Sequence, residues 1–290
     1  MSASYFVRLL LLASAVFFLL RLGLEATVSL VVKNAIARAE RLPAAHGARL
    51  LLALRLLPSA TALAFVALYC LPSYLRYEPP SASEEVGAAC LFAAICGIAL
   101  ASIALVRAAR AIRESRRYQI AEGIALAGIV HPRLLISERA RCELSLEQFD
   151  AALAHEHAHR ESMDNLKRLL MLLTPALFPA SRALENAWAR CAEHAADDRA
   201  VNGDPNRALA LAEALVCVAR MQTKAPTLVA TLIDSGDDLA SRVDRLLEPR
   251  ETAAPRPQPW LWIAPAAALA LAIMPGTMHA VHTLLERLLD

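Results

Sequence analysis

His155, Glu156 and His159 are the residues of this chain best placed by type and spacing to do chemistry, within the run His155-Glu156-His157-Ala158-His159. The two outer histidines are four residues apart, so on a helix both imidazoles leave one face and can bind a single metal ion. Glu156 then lies beside them, able to act on a metal-bound water. Alanine and leucine flank the run at Ala151, Ala152, Leu153, Ala154 and Ala158, which argues for a buried helix. A buried His-Glu-His cluster without a partner costs several kcal/mol, and metal binding removes that conflict. A second run, Arg190-Cys191-Ala192-Glu193-His194-Ala195-Ala196-Asp197-Asp198, supplies a carboxylate at Glu193 and another one turn later at Asp197. A site of two histidines and one glutamate, with a fourth position open to water, needs such a second helix.

The elements that hold these residues are expected to be helical. Ser145 with Gln148 fits a capping box that opens a long helix, expected to run to Thr174 before Pro175 stops it. A following helix from about Ser181 ends at Asn202-Gly203, and Asp204-Pro205 caps another that reaches about Gln222. A last helix spans about Asp237 to Leu247. Ahead of the histidines, Ile129 to Ser137 has an early proline and no helical period, and reads as an edge strand onto which an extended peptide substrate can add.

Around this segment the chain reads as a membrane protein. Of its 290 residues, 57% are hydrophobic and 20% charged, and the net charge is +2, which excludes disorder and argues against a nucleic-acid partner. Residues 56 to 75, 86 to 106 and 257 to 285 contain no Asp, Glu, Lys or Arg, and each run is long enough to cross a lipid bilayer. Phe6 to Val32 adds a first span despite Arg8, Arg21 and Glu25. Arg21 and Glu25 are one turn apart and can neutralise each other, while Arg8 can reach the interface. The expectation is therefore a mainly α integral membrane protein with four transmembrane helices. Three lie in residues 1–106 (about 6–32, 50–75 and 86–106), a hydrophilic helical domain with a short β element fills 107–258, and a fourth span with a short tail occupies 259–290. Lys33, Arg38, Arg41 and Arg49 in the first loop, and Arg107 to Arg117 after the third span, mark both segments as cytoplasmic. Leu169 to Pro179, eleven uncharged residues, is too short to span and is expected to pack on the spanning helices or dip into the interface. The six cysteines show no CxxC and read as small hydrophobes.

His155 to Asn165 (HEHAHRESMDN) with Leu166, and the later Glu193-x-x-x-Asp197, resemble the M56 membrane metallopeptidases, the group that includes the beta-lactam sensor-transducer of staphylococci. The four spans, the lead-in Gly128 to Ser137 and the trailing Ser241-Arg242-x-x-Asp-Arg-Leu-Leu247 are similar to that family's layout. The resemblance implies a gluzincin-like zinc domain facing the cytoplasm of a bacterial inner membrane. His155, His159 and Glu193 would bind Zn2+, Glu156 would be the catalytic base, and Asp197 and Asp164 would orient the ligand histidines. It implies an endopeptidase cutting a cytoplasmic protein or peptide substrate, such as a transcriptional repressor or another regulator. Two departures bear on this: Ala196 stands where the family commonly has cysteine, and the chain ends at Asp290, so direct beta-lactam sensing is not expected. The M48 membrane quality-control proteases share the four spans, the HExxH and the later glutamate. A different class, a non-catalytic membrane transducer with zinc stapling its helices, is the alternative that intact Glu156 argues against. His157, two residues and about 200° around the helix from each of the two candidate ligands, cannot share their metal and reads as a surface residue. His194 follows Glu193 and is expected to point elsewhere, with oxyanion stabilisation as its alternative role, and His131, His279 and His282 lack metal spacing.

Overall fold

The structure is a computed structural model that describes residues 3–78, 86–117, 123–129, 132–221, 229–231 and 236–248. The expected fourth span and the proline-rich linker before it lie outside the described residues. The described chain is mostly helical. α1 covers Ala3–Glu40, α2 Ala44–Phe65, α3 Leu71–Tyr77 and α4 Ala88–Arg117. Three stretches, Tyr5–Glu40, Ala44–Tyr77 and Ala88–Arg117, are long and apolar enough to cross a membrane. Each exceeds its uncharged core because flanking charged residues continue the helix. Pro58, near the start of the uncharged run 56–75, is therefore inside α2. A π turn at Val66–Cys70 joins α2 to α3, and the Leu71 N–H reaches back five residues to the Val66 carbonyl. Pro72, at the start of α3, has no N–H to continue the ordinary ladder, and the wider turn accommodates it.

The chain divides into two compact units. In the first, which takes in the described residues up to Leu30 and Leu56–Ile103, Tyr5, Leu12, Val16, Val66, Cys70, Tyr74 and Cys90 form the core. The Tyr5 and Tyr74 rings lie 5.0 Å apart. α4 approaches α1 so closely that a Cβ on Gly97 would lie 2.7 Å from the Ser14 carbonyl oxygen, the small-residue packing that membrane helices use. As expected, Arg21 and Glu25 pair, Nε to Oε1 at 2.9 Å, and both are buried. Arg8 is also buried, 4.0 Å from Glu78, a partner seventy residues away that nothing local in the sequence indicates.

The second unit comprises Val31–Arg55 and Ala104–Ala253. It therefore joins the basic first loop to the segment that carries the histidines. Arg190 lies 3.6 Å from Glu40, and a Cβ on Gly47 would meet the Ala39 carbonyl at 2.6 Å and Cys191 Sγ at 3.4 Å. Here β1 (Ile124–Ala127), β2 (Arg133–Ile136) and β3 (Val229–Thr231) form an antiparallel sheet in the order β2-β1-β3. The expected edge strand is thus real but shortened to β2, at the edge of that sheet. β1 and β3 were not anticipated, because Ile-Ala-Leu-Ala carries little strand propensity and is set by its burial.

α5 (Glu138–Glu143), α6 (Leu146–Ser162), α7 (Asp164–Leu173), α8 (Pro179–Val201), α9 (Pro205–Ala219) and α10 (Gly236–Leu247) complete the unit. α6 opens with the expected capping box, Ser145 Oγ accepting from the Gln148 N–H and Gln148 Oε1 accepting from the Ser145 N–H. α8 ends on Asn202 in the left-handed region, and Asp204 and Pro205 open α9 as expected. α6 packs against α8, α9 and β1 through Ala151, Ala152, Ala200, Leu211, Ala214 and Leu215 around Ile124. Alanines there let the helix axes come close enough for short acidic and imidazole side chains to meet. The long helix expected from Ser145 to Thr174 is instead two helices. Met163 adopts φ 54°, at a cost of about 1–2 kcal/mol, and α7 leaves in a new direction. All six cysteines are free.

Candidate metal centre

α6 and α8 bring His155, His159 and Glu193 together, with one donor atom from each lying within 4.8 Å of the others. All three residues are buried. His155 Nε2 is 3.0 Å from His159 Nε2, and Glu193 presents Oε2 at 3.5 Å to the first and Oε1 at 3.4 Å to the second. Ligands held about 2.0–2.1 Å from a tetrahedral ion stand roughly 3.3–3.4 Å from one another, so these spacings suit a single small cation.

The other ring nitrogens explain why the Nε2 atoms converge. His159 Nδ1 lies 2.7 Å from Asp164 Oδ2, and His155 Nδ1 lies 2.9 Å from Asp197 Oδ1. A carboxylate beside each Nδ1 favours a hydrogen there, which leaves Nε2 as the ring atom free to bind a metal ion. Two Nε2 atoms and a carboxylate facing one another call for positive charge between them, which protons supply in the metal-free chain and a metal ion would supply in their place. The break at Met163 is what permits the Asp164 contact, because on an unbroken helix a residue five positions on points elsewhere. Asp164 is backed by Lys167 Nζ at 2.7 Å. Asn165 Nδ2 donates to the Leu126 and Gly128 carbonyls at 3.1 and 2.8 Å, fixing the start of α7 to the end of β1.

Glu156 is fully buried, and neither carboxylate oxygen has a hydrogen-bond partner among the described residues. The Glu193 oxygens likewise accept no hydrogen bond there, and have only ionic neighbours besides the histidines, Arg242 Nη1 at 3.2 Å and Arg168 Nη2 at 3.6 Å. Orphaned buried carboxylates beside converging imidazoles are what a metal ion and its water would satisfy, and the donor set fits that group. Burial pushes the Glu156 carboxyl up to about 7, helped by Glu193 and opposed by the two histidines and Arg242. That is suitable for a group that takes and returns protons near neutrality. Burial works against charge on His159, yet Glu193 and Asp164 outweigh it and push the imidazole up to about 10. His155 is raised in the same way by Asp197 and Glu193. Against the effect of burial, Arg242 and His155 hold Asp197 well below the usual carboxylate range, and His159 and Lys167 lower Asp164. The centre attracts positive charge.

The structure brings together the side chains singled out in the sequence: the three candidate ligands and Glu156, with Asp197 and Asp164 against the imidazoles. His157 is exposed, as expected of a surface residue, and His194 is half-buried with its carbonyl accepting from Arg245. His131, His279 and His282 lie outside the described residues. Sequence reasoning assigned no role to Arg242, whose guanidinium grips Asp197 through Nε (2.9 Å) and Nη2 (2.6 Å) while also facing Glu193. The only signal was the Ser241-Arg242 run, and nothing in its spacing says that α10 folds back onto α8. Comparison with family models, curated proteins and solved structures finds no match for this chain.

Proposed function

We propose that the chain is a membrane-held zinc endopeptidase of the M56 type, cutting a protein or peptide in the bacterial cytoplasm. The observation that carries this reading is Glu156, buried beside a converging His155, His159 and Glu193, with neither oxygen hydrogen-bonded among the described residues. A site that only stapled helices together would be closed by four protein ligands and would have no use for such a group. Zinc held by these three residues supplies a Lewis acid that makes water acidic near neutral pH and polarises a carbonyl. Glu156 takes the proton from the attacking water and delivers it to the leaving amine. Asp164 and Asp197 keep the imidazoles in the tautomer that presents Nε2, and Arg242 keeps Asp197 and Glu193 ionised and aligned. Membrane attachment is supported by the three long apolar helices, and a cytoplasmic site by the basic first loop that shares a compact unit with it.

The test is Glu156→Gln in the purified full chain, with cleavage of an unfolded protein or of the chain itself as readout. The expected result is a loss of about 100-fold or more with zinc content unchanged. Equal cleavage by both proteins, or none by the wild type under any loading of zinc, would reject the enzyme in favour of a non-catalytic transducer.

A further inference from the structure

α7 is amphipathic in the reverse of the usual sense. Its buried residues are Asp164, Asn165, Arg168 and Met171, three of them polar and directed to the metal centre or to β1. Its outward stripe, at spacings of three, four and three residues, is Met163, Leu166, Leu170 and Leu173. Met163 is 60% exposed, Leu170 40% and Leu173 38%. Helices in water turn their leucines inward and their charges outward. A helix that does the opposite suits an apolar medium.

Arg55 ties the end of α7 to α2 within the same compact unit. This arginine is 2% exposed and is the last charged residue before the uncharged run 56–75. Its guanidinium donates to Glu185 Oε1 through Nε at 2.8 Å, lies 2.7 Å from the same oxygen through Nη2, and also donates to the carbonyl of Thr174, the residue that caps the end of α7. The end of α7 is thus fixed to the point on α2 at which hydrocarbon-compatible sequence begins. After Thr174 the chain continues as Pro175-Ala176-Leu177-Phe178-Pro179, again without charge.

We infer that α7 lies in the boundary between lipid headgroups and acyl chains, with Leu166, Leu170 and Leu173 facing the hydrocarbon and its polar face forming one wall of the metal centre. Amphipathic helices of this kind bury their apolar face about 5–10 Å into that boundary. The ten residues of α7 span about 15 Å, and its first turn holds His159 through Asp164. The metal centre therefore rides at the membrane surface. Resting on the endopeptidase reading, the bonds within its reach belong to chain segments at that surface, such as the juxtamembrane part of an anchored protein.

The full chain in vesicles of phosphatidylethanolamine and phosphatidylglycerol tests this without reference to catalysis. A small fluorophore is attached to Leu170→Cys, Leu173→Cys or, as a water-facing control on α6, Leu146→Cys, each in a Cys142→Ser background that also serves as the blank. Lipids carrying a nitroxide near the headgroup should quench the labels at 170 and 173 several-fold more than the label at 146, and aqueous iodide should do the reverse. Labels at 170 and 173 that respond to iodide as the label at 146 does would overturn the proposal. So would labels shielded from both quenchers, since the occupant would then be protein.

Discussion

The two candidate ligand histidines sit one helical turn apart on α6, yet they are supported in different ways. His159 is oriented by Asp164, the first residue of the next helix, and Asp164 in turn by Lys167, whose side chain is 28% exposed. That support is built within nine residues by a turn in the backbone. His155 is oriented by Asp197 on α8, and Asp197 is clasped by Arg242 from α10, with all three side chains at 2% exposure or less. That support exists only when three helices have docked. The contrast separates a local device, which can tolerate solvent, from a long-range one that makes metal binding report on the fold of the whole unit.

Arg242→Ala has the largest expected effect among the supporting residues. It removes a cation shared by two buried carboxylates, and the metal-free protein should lose about 3–5 kcal/mol of stability in denaturant unfolding. Zinc affinity should fall toward the far end of the roughly 10–100-fold range seen when residues that orient ligands are removed. Asp164→Asn should cost nearer tenfold in zinc affinity, because the amide still reaches His159 Nδ1 but no longer fixes its tautomer. Lys167→Ala should change stability by at most about 1 kcal/mol, as befits a partly exposed pair. Titration of zinc against a competing chelator ranks all three. If Lys167→Ala proves as damaging as Arg242→Ala, the distinction between local and long-range support is lost.

The comparison also has a pH signature. His159, raised to about 10 in the metal-free protein, contributes stability that is fully present below the ordinary histidine value of about 6.5 and is lost as pH rises through 10. Asp197 and Asp164 are depressed, so their contribution is present above the ordinary aspartate value of about 3.9 and is lost as pH falls through their folded values. Zinc must displace the proton on His159. Its affinity should therefore rise by about tenfold per pH unit per displaced proton between roughly pH 7 and 9, with proton release visible by calorimetry in buffers of different ionisation heat. A pH-independent affinity over that range would mean that His159 is already neutral.

Much of the site was legible because its chemistry is written at helical spacing. His155, Glu156 and His159 lie on one short stretch, and Glu193 and Asp197 on another, so the sequence alone specified which side chains had to meet. The capping box at Ser145 and the Asn202-Gly203 and Asp204-Pro205 boundaries were equally readable, since each is a local hydrogen-bonding signal. The break at Met163 was not, because methionine carries no preference for a left-handed backbone. What holds it there is the short-range Asp164 contact to His159 together with the Asn165 bonds to the distant Leu126 and Gly128. Arg242 and the Arg8 partner were hidden for the same reason: sequence shows the charge but not the distant group that neutralises it. The spans could be read from where charge is missing, but their helix ends could not, since charged residues at Arg38, Arg49 and Arg113 continue the helices without interruption.

The central claim is that His155, His159 and Glu193 hold one zinc ion beside Glu156. Metal content of the purified full chain, measured alongside Glu193→Ala, tests it most directly. One zinc per chain in the wild type and a clear loss in the variant is the expected result. A wild-type protein that takes up no zinc, or a variant that retains it in full, would contradict it.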